Sequence, residues 1–175
     1  MRNLEIKAAV ASLGTVRSRL RALPGASLQA RLRQADWYFR VPKGRLKLRI
    51  VGGNPDGELI AYLRPDKRAA RTSEFQRLPT ADAAGTRRLL DQILGAQGCV
   101  RKRREVWLYK NARIHLDTVE GLGRFIEIEV VVTDGMTQAR QLMKVLTSAL
   151  AIQREHLVAR SYGDRVARGS LRGNR

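Results

Sequence analysis

The residues of this chain that could do chemistry recur at every second position. The residues between them are mostly apolar, as Leu46 and Leu48 illustrate. Successive side chains of a β-strand point to opposite faces, so each such segment has one apolar face and one charged face. If the charged faces converge, they form a site for a polyanion held together with a metal ion. The alternating sets are Asn3, Glu5 and Lys7; Arg45, Lys47 and Arg49; Lys102 and Arg104; Arg113, His115 and Asp117; and Glu127 and Glu129.

Two carboxylates on one strand face suggest a metal site. Glu127 and Glu129 lie roughly 7 Å apart in an extended chain, where they repel each other unless a cation or water intervenes. Such oxygen ligands suit Mg²⁺ or Mn²⁺, which keep several waters and bind substrate phosphates at the same time. A solvated strand face is the alternative, because charges often line exposed sheets. Glu5 and Asp117, on other predicted strands, favour the metal site.

The cations of these segments suit a phosphorylated ligand. Arginine binds phosphate in bidentate fashion, and lysine supplies a compact positive charge. An exposed basic sheet that binds nucleic acid non-specifically is the alternative, but it does not explain carboxylates interleaved on the same faces. The candidate phosphate ligands are Lys7, Arg45, Lys47, Arg49, Arg64, Lys102, Arg104 and Arg113.

The composition points to a globular domain with an anionic partner. The chain has 175 residues, is 43% hydrophobic and carries a formal net charge of +18. Self-repulsion of that size is a cost unless an anion offsets it, and nucleic acid, an anionic membrane or a phosphorylated small molecule would do so. Three phenylalanines, two tryptophans and four tyrosines are few for stacking on single-stranded bases.

The cysteine content and the apolar segments of the chain bear on its cellular location. Cys99 is the only cysteine, which excludes an intrachain disulfide and agrees with a reducing, cytoplasmic location. The N-terminus lacks the apolar segment of a signal peptide, and no apolar run approaches the roughly 20 residues of a membrane helix.

His115 is a lone histidine on a polar strand face, which is more typical of a hydrogen-bonded bystander than of a ligand or an acid–base group. No P-loop or Rossmann fingerprint occurs.

Hydrophobic spacing and turn residues predict eight strands and three helices. Hairpin turns, as at 52–57, favour an antiparallel sheet, and eight strands can close into a barrel that holds one small ligand. We therefore expect an α+β fold, an eight-stranded antiparallel β-barrel with helices packed outside, as one domain over 1–164, followed by a basic, flexible tail at 165–175. The strands are predicted at 2–9, 28–41, 45–51, 58–64, 72–78, 99–109, 112–119 and 123–132, and the helices at 10–22, 80–94 (with Thr80 as its cap) and 135–153.

A series of short motifs runs in order from residue 3 to residue 164. Each is weak alone, but the ordered set resembles the CYTH domain family, the triphosphate tunnel metalloenzymes that include class IV adenylate cyclases and thiamine triphosphatases. The motifs are Asn3-Leu4-Glu5-Ile6-Lys7, Gln34-Ala35-Asp36-Trp37-Tyr38-Phe39, Arg45-Leu46-Lys47-Leu48-Arg49, Arg64 before a proline, Val100-Arg101-Lys102-Arg103-Arg104, Arg113-Ile114-His115-Leu116-Asp117, Phe125-Ile126-Glu127-Ile128-Glu129 and Ser161-Tyr162-Gly163-Asp164.

The resemblance implies a tunnel in which basic residues hold the triphosphate and carboxylates hold one or two Mg²⁺ or Mn²⁺ ions. It implies catalytic roles for Lys7 and Asp117. The residues that match the metal ligands are Glu5, Glu127, Glu129 and Asp117. The residues that match the phosphate ligands are Lys7, Lys47, Arg49, Arg64, Lys102, Arg104 and Arg113.

One position departs from the family's pattern. Asn3 stands where the first glutamate is usual. Because an amide is a neutral oxygen donor, the site loses a negative charge there. We expect weaker metal binding, or the loss of one of two metal positions.

The resemblance implies a metal-dependent enzyme of the class IV adenylate cyclase type, which converts ATP to cyclic AMP and pyrophosphate. The first alternative is hydrolysis of tripolyphosphate, thiamine triphosphate or a nucleotide, since the same site can direct water as the nucleophile. The second is a non-catalytic binder of polyphosphate, nucleotide or RNA. Nucleic acid is a further candidate partner for the basic surface and tail. The oligomeric state stays open, with a dimer among the alternatives.

Overall fold

Eight β-strands form a closed barrel in the computed structural model, which describes residues 2–63 and 69–165. Three α-helices lie outside it, α1 (Leu13–Arg21), α2 (Ala83–Leu94) and α3 (Met136–Ala149), together with a 3₁₀-helix at Arg154–His156. The strands are β1 (Arg2–Ala9), β2 (Ser27–Phe39), β3 (Arg45–Val51), β4 (Gly57–Leu63), β5 (Arg71–Thr80), β6 (Ala96–Tyr109), β7 (Ala112–Val119) and β8 (Gly123–Val131).

All neighbouring strands of the barrel are antiparallel. Their order around the barrel is β1–β5–β4–β3–β2–β6–β7–β8, and β8 pairs with β1 to close the ring. Most neighbours in this ring are also neighbours in sequence, so short turns make most of the connections. The predicted α+β fold, an eight-stranded antiparallel barrel with helices outside, is confirmed.

The helices are shorter than their hydrophobic spacing predicts. α1 begins at Leu13 rather than at residue 10, because Ser12 Oγ accepts a hydrogen bond of 3.3 Å from an amide of the first turn. α2 begins after Asp82, whose Oδ1 accepts a 2.8 Å hydrogen bond from the Gly85 amide. Thr80, the predicted cap, is the last residue of β5 instead. Side-chain capping therefore sets these boundaries more precisely than hydrophobic periodicity does.

The outward face of half of the barrel forms the main apolar core. α1 and α3 pack against β1 and β8. Ile126 and Ile128 of β8 point into this core, whereas Glu127 between them points into the barrel. The helices are needed because a barrel with a polar interior has to bury its apolar side chains on the outside. The buried residues of this core include Leu4, Ile6, Ala8, Val16, Leu20, Trp107, Ile114, Leu116, Met143, Leu146 and Leu150.

A smaller apolar cluster lies under α2. Phe39 and Leu48, on the outer face of β2 and β3, pack with Ala83 at the start of that helix. Trp37, Leu46, Leu90 and Leu94 are among the partly buried side chains around them. Along the described ranges, no helix combines the length and the apolar character needed to span a membrane.

Leu146 tests whether packing outside the barrel stabilises the fold. It is fully buried, whereas its neighbour Val145 in α3 is 52% exposed. We expect Leu146→Ala to lower the free energy of unfolding by roughly 2–5 kcal/mol, because it removes buried methyl groups and leaves a cavity. The control Val145→Ala should change it by less than about 0.5 kcal/mol. Urea unfolding followed by circular dichroism measures both, and equal effects would contradict the assignment of this helix face to the core.

Candidate functional site

A cavity of about 260 Å³ lies in the polar interior of the barrel. Nine of the ten predicted site residues that the structure describes line it, and the tenth, Asp117, lies behind its wall. Arg64 lies outside the described residues. The nine are Glu5, Lys7, Lys47, Arg49, Lys102, Arg104, Arg113, Glu127 and Glu129. Strand alternation and closure of the barrel thus bring together residues from five strands, β1, β3, β6, β7 and β8.

A single buried carboxylate organises the cations on one wall. Asp36 of β2 is fully buried. Lys47 Nζ lies 3.0 Å from its Oδ2, and Lys102 Nζ lies 2.6 Å from the same oxygen. Arg49 Nε lies 2.7 Å from its Oδ1. Because β2 lies between β3 and β6, these side chains reach Asp36 from both sides. Three cationic groups on one carboxylate leave net positive charge beside the cavity, which favours an anionic ligand.

Burial and mutual repulsion shift the pKa values of this cluster. Burial alone would raise the pKa of Asp36, but the three cations lower it well below its ordinary value, so Asp36 is ionised. Burial and the neighbouring Arg49 lower the pKa of Lys47 to about 7, against the opposing effect of Asp36. Burial also lowers the pKa of Lys102 to about 8. A bound anion would favour the charged lysines.

A second cluster has the chemistry of a metal site. Ligand atoms of His115, Glu127 and Glu129 all lie within 4.8 Å of one another. His115 Nδ1 is 3.7 Å from Glu127 Oε2 and 3.8 Å from Glu129 Oε1, distances longer than a hydrogen bond. This nitrogen is buried and has no hydrogen-bond partner among the described residues. A buried, unpartnered imidazole nitrogen between two carboxylates fits a divalent metal ion.

Cations hold the carboxylates of this cluster. Lys7 Nζ lies 3.3 Å from Glu127 Oε1, and Arg104 Nη2 lies 3.0 Å from Oε2. Arg113 Nε lies 3.8 Å from Glu129 Oε2. Burial would raise the pKa of Glu127, but Lys7, His115 and Arg104 lower it well below its ordinary value. Glu127 is therefore ionised, as a metal ligand must be.

Glu5 and Asn3 lie beside the metal-site cluster on β1. Glu5 is opposite Glu129 in the β1–β8 register, and Arg71 Nε lies 3.2 Å from its Oε1. Asn3 Nδ2 donates a long hydrogen bond of 3.4 Å to Glu129 Oε2. Its Oδ1 is buried and unpartnered among the described residues. The asparagine thus supplies a donor to Glu129 where a glutamate would add repulsion.

Asp117 is engaged by other side chains. Its carboxylate accepts hydrogen bonds of 2.7 and 2.6 Å from Arg104 and one of 2.9 Å from the Tyr162 hydroxyl. Burial would raise the pKa of Asp117, but Arg104 and Lys102 lower it to about 2. The structure does not bring Asp117 into the cluster of His115, Glu127 and Glu129. Its contacts orient the Arg104 guanidinium instead.

Residues 161–164 pack against one end of the barrel. A Cβ on Gly163 would lie 2.6 Å from the Tyr38 ring, so only glycine permits this close approach. Arg45 points to this end as well, and its Nη2 lies 2.9 Å from Asp164 Oδ2. The Ser161-Tyr162-Gly163-Asp164 motif therefore anchors the chain to the barrel and supplies Tyr162 to the cavity wall.

Sequence reasoning missed several of these residues. Asp36 appeared only within a motif, although it shares the two-residue spacing of Gln34 and Tyr38 and its position facing inward followed from that spacing. The sequence indicates a hydrogen-bonded bystander at His115, because the two glutamates around it come from another strand. Arg71 falls one residue before the strand predicted at 72–78.

Comparisons with known proteins agree with this architecture. The CYTH domain model matches residues 1–162. Similar solved structures include a protein of Pyrococcus horikoshii OT3, with 23% identity, a TM-score of 0.83 and coverage of 93% of this chain and 98% of that chain. A candidate adenylate cyclase of Vibrio parahaemolyticus has 17% identity, a TM-score of 0.71 and coverage of 94% and 96%.

A candidate adenylyl cyclase of Hippeastrum, for which a dominant triphosphatase activity is described, has 17% identity, a TM-score of 0.66 and coverage of 96% of each chain. At these identities the solved structures share the fold alone. None of the curated proteins matches the chain. The family model, in contrast, extends from the first strand to the segment that closes the barrel, and on this match the chain belongs to the CYTH domain family.

Proposed function

We propose that this protein is a metal-dependent enzyme that acts on a triphosphate held in the barrel. One observation carries the proposal. The three cations around Asp36 and the metal-site cluster of His115, Glu127 and Glu129 lie on the same cavity. A polyphosphate chain can then contact lysine and arginine while its oxygens approach a metal ion. Membership of the CYTH family, whose members act on triphosphates with a metal, supports the proposal.

The phosphate ligands divide into two groups. Lys47, Arg49 and Lys102 supply the positive charge around Asp36. Lys7, Arg104 and Arg113 line the cavity beside Glu127 and Glu129. We assign both groups to phosphate binding, so that a triphosphate would span the cavity between them. Arg64, outside the described residues, stays a predicted phosphate ligand.

His115, Glu127 and Glu129 would hold the metal, with Glu5 and Asn3 next to them. Carboxylate oxygens suit Mg²⁺ and Mn²⁺, and the imidazole favours Mn²⁺ of the two. When bound, such an ion would supply Lewis-acid stabilisation of the charge that develops on the phosphoryl oxygens.

The chain itself supplies fixed charge for the reaction. Arg104 is held by Asp117 and Glu127, so its guanidinium needs little reorganisation to stabilise developing negative charge. Lys7 Nζ lies 3.6 Å from the centre of the Tyr162 ring and 3.3 Å from Glu127. We assign Lys7 to charge stabilisation on the phosphate, and Asp117 to positioning Arg104.

Hydrolysis is the first candidate reaction. Water would attack a terminal phosphorus, the P–O anhydride bond would break, and a diphosphate and inorganic phosphate would leave. The cavity of about 260 Å³ lies below the roughly 300–1,000 Å³ of pockets for drug-sized ligands. A polyphosphate chain fits this volume, and hydrolysis needs only that chain and a water in the cavity. The triphosphatase activity described for the Hippeastrum protein supports this candidate.

Cyclisation of ATP is the second candidate. The ribose 3′-hydroxyl would attack the α-phosphorus and release pyrophosphate. The similarity to the candidate adenylate cyclase of Vibrio parahaemolyticus supports it, as does the segment of Gln34, Asp36 and Tyr38 that faces the cavity side of β2.

A product assay tests these proposals. We expect tripolyphosphate, incubated with the protein and Mn²⁺ or Mg²⁺, to yield phosphate and diphosphate, and Glu129→Gln to lower turnover by about 100-fold or more, because a metal ligand is lost. Glu155→Gln, an exposed carboxylate outside the barrel, is the matched control and should be unaffected. Chromatography resolves the products.

Each alternative predicts a different product. Formation of cyclic AMP and pyrophosphate from ATP would show that the reaction is cyclisation and not hydrolysis. Tight binding of triphosphates without any metal-dependent product would contradict the enzyme proposal and favour a non-catalytic binder. Full activity of Glu129→Gln would contradict the metal site.

Titration of Lys47 predicts a pH dependence of phosphate binding. Its pKa of about 7 means that the ammonium is charged at pH 6 and largely neutral at pH 9. Metal-free tripolyphosphate should therefore bind about tenfold more weakly at the higher pH, because a charge-assisted hydrogen bond is lost. Lys47→Arg keeps its charge across this range and should weaken the pH dependence, leaving the part that is due to Lys102, whose pKa is about 8.

Isothermal titration calorimetry from pH 6 to pH 9 measures both proteins. Titration of the ligand and of Lys102 contributes to both profiles, so the difference between the profiles reports on Lys47. Coincident profiles would show that Lys47 does not contact the phosphate.

A further inference from the structure

The barrel interior accounts for little of the positive charge of this protein. Seven described cations and five carboxylates face inward, which leaves an excess of two positive charges, and the Arg77–Glu58 pair at the rim adds none. The formal net charge is +18, so most of the excess lies outside the tunnel. The inward cations are Lys7, Lys47, Arg49, Arg71, Lys102, Arg104 and Arg113, and the inward carboxylates are Glu5, Asp36, Asp117, Glu127 and Glu129.

Four exposed arginines form a compact array on the outer surface of β2 and β6. Because of strand alternation, the side chains of Lys102 and Arg104 point into the barrel, and those of Arg101 and Arg103 point outward. Arg33 lies directly opposite Arg103 in the β2–β6 register. Neighbouring strands are about 4.8 Å apart, and alternate residues along one strand about 6.7 Å apart. The outer arginine face consists of Arg31, Arg33, Arg101 and Arg103, all of them exposed.

Repulsion between the positive charges of the outer arginine face destabilises the fold. Like charges directly opposite each other destabilise a sheet, and none of these four arginines has an ion pair among the described residues. Glu105, opposite Arg31, is already held by Arg17 at 2.7 Å. Glu120 is the one carboxylate among the described residues that line this groove, and it is exposed. An external anion would remove this repulsion.

The surface around these arginines is a groove rather than a helix-packing face. The apolar cores under α1, α3 and α2 do not include the outward side chains of the arginine face. Arg33, Arg101 and Arg103 line the groove together with Ala35 and the turn at Gly53. It opens on the outer side of β2 and β6, and the tunnel lies on their inner side. Gln34 and Lys102 line both, so these two strands form the wall between the groove and the tunnel.

We propose that the outer arginine face binds the phosphate backbone of a nucleic acid duplex. Arginine presents a planar fork that matches phosphate oxygens, and an array on two strands can contact successive phosphates. The four arginines carry no neighbouring base-stacking aromatic within the groove, so contacts go to the backbone and do not depend on base sequence. This site is independent of the proposed triphosphate chemistry.

Fluorescence anisotropy with the full chain and blunt RNA and DNA duplexes of roughly 20 base pairs tests this proposal. The duplexes carry 5′-hydroxyl ends, so they offer no triphosphate to the tunnel. We expect the double variant Arg33→Ala, Arg103→Ala to bind at least about tenfold more weakly and to lower the slope of log affinity against log salt by about two, one for each phosphate contact. The control Arg88→Ala, Arg140→Ala removes the same charge from exposed positions on α2 and α3.

The proposal is supported if the control binds within about twofold of the wild type and if tripolyphosphate, added only to the concentration that fills the tunnel and at constant ionic strength, does not displace the duplex. Binding of either the RNA or the DNA duplex supports the proposal, and the ratio of the two affinities identifies the preferred nucleic acid. Equal losses in both double variants would mean that diffuse charge, not this face, binds the duplex. Displacement by tripolyphosphate, or binding of long-chain polyphosphate but of neither duplex, would overturn the proposal. Circular dichroism confirms that the variants are folded.

Discussion

Charge compensation inside a closed barrel is the constraint on which the structure depends. A charge moved from water into a protein interior is costly unless an opposite charge and hydrogen bonds accompany it. The strand register meets this requirement row by row. Across β5, β1, β8 and β7, Arg71 and Glu5 are opposite each other, Glu5 is opposite Glu129, and Glu129 is opposite Arg113. In the next row Glu127 lies between Lys7 and His115. Each carboxylate therefore has a cation or an imidazole beside it.

The buried polar and charged groups fully satisfy one another in one part of the barrel, but not in two others. Arg104 and Asp117 satisfy each other through two short hydrogen bonds. Asp36, in contrast, faces three cations, and His115 lies unbonded between two glutamates. The first leaves an excess of positive charge, which a bound phosphate would relieve. The second leaves a buried imidazole nitrogen without a hydrogen-bond partner among the described residues, which a metal ion would engage. Because buried ion pairs contribute little net stability, the apolar layer between barrel and helices stabilises the fold, and the interior is left for binding.

The spacing of charged residues predicted most of the tunnel lining, because strand alternation is a local rule. Lys47 and Arg49 face inward on that rule alone. Partner choice was not predictable in the same way, since it depends on the closure of the barrel. Asn3 and Glu129 are 126 residues apart in sequence, and nothing near either one indicates that they meet.

Contacts between distant parts of the chain, and helix capping, also explain the remaining differences between the sequence predictions and the structure. Asp117 has the predicted spacing, but Tyr162 and Arg104 occupy its oxygens. His115 could be interpreted as part of a metal site only once the β7–β8 register placed it opposite Glu127. The helix boundaries depend on capping by Ser12 and Asp82, a weaker signal in sequence than the apolar periodicity of the helices.

The central claim is that the two incompletely satisfied clusters are the two halves of one triphosphate site. A crystal structure with Mn²⁺ and a non-hydrolysable tripolyphosphate analogue tests it most directly, with the metal located by its anomalous scattering. The account predicts an anomalous peak bounded by His115, Glu127 and Glu129, and phosphate density that extends from it towards Lys47 and Lys102. A metal peak elsewhere in the barrel, or phosphate density confined to the outer surface, would contradict the account.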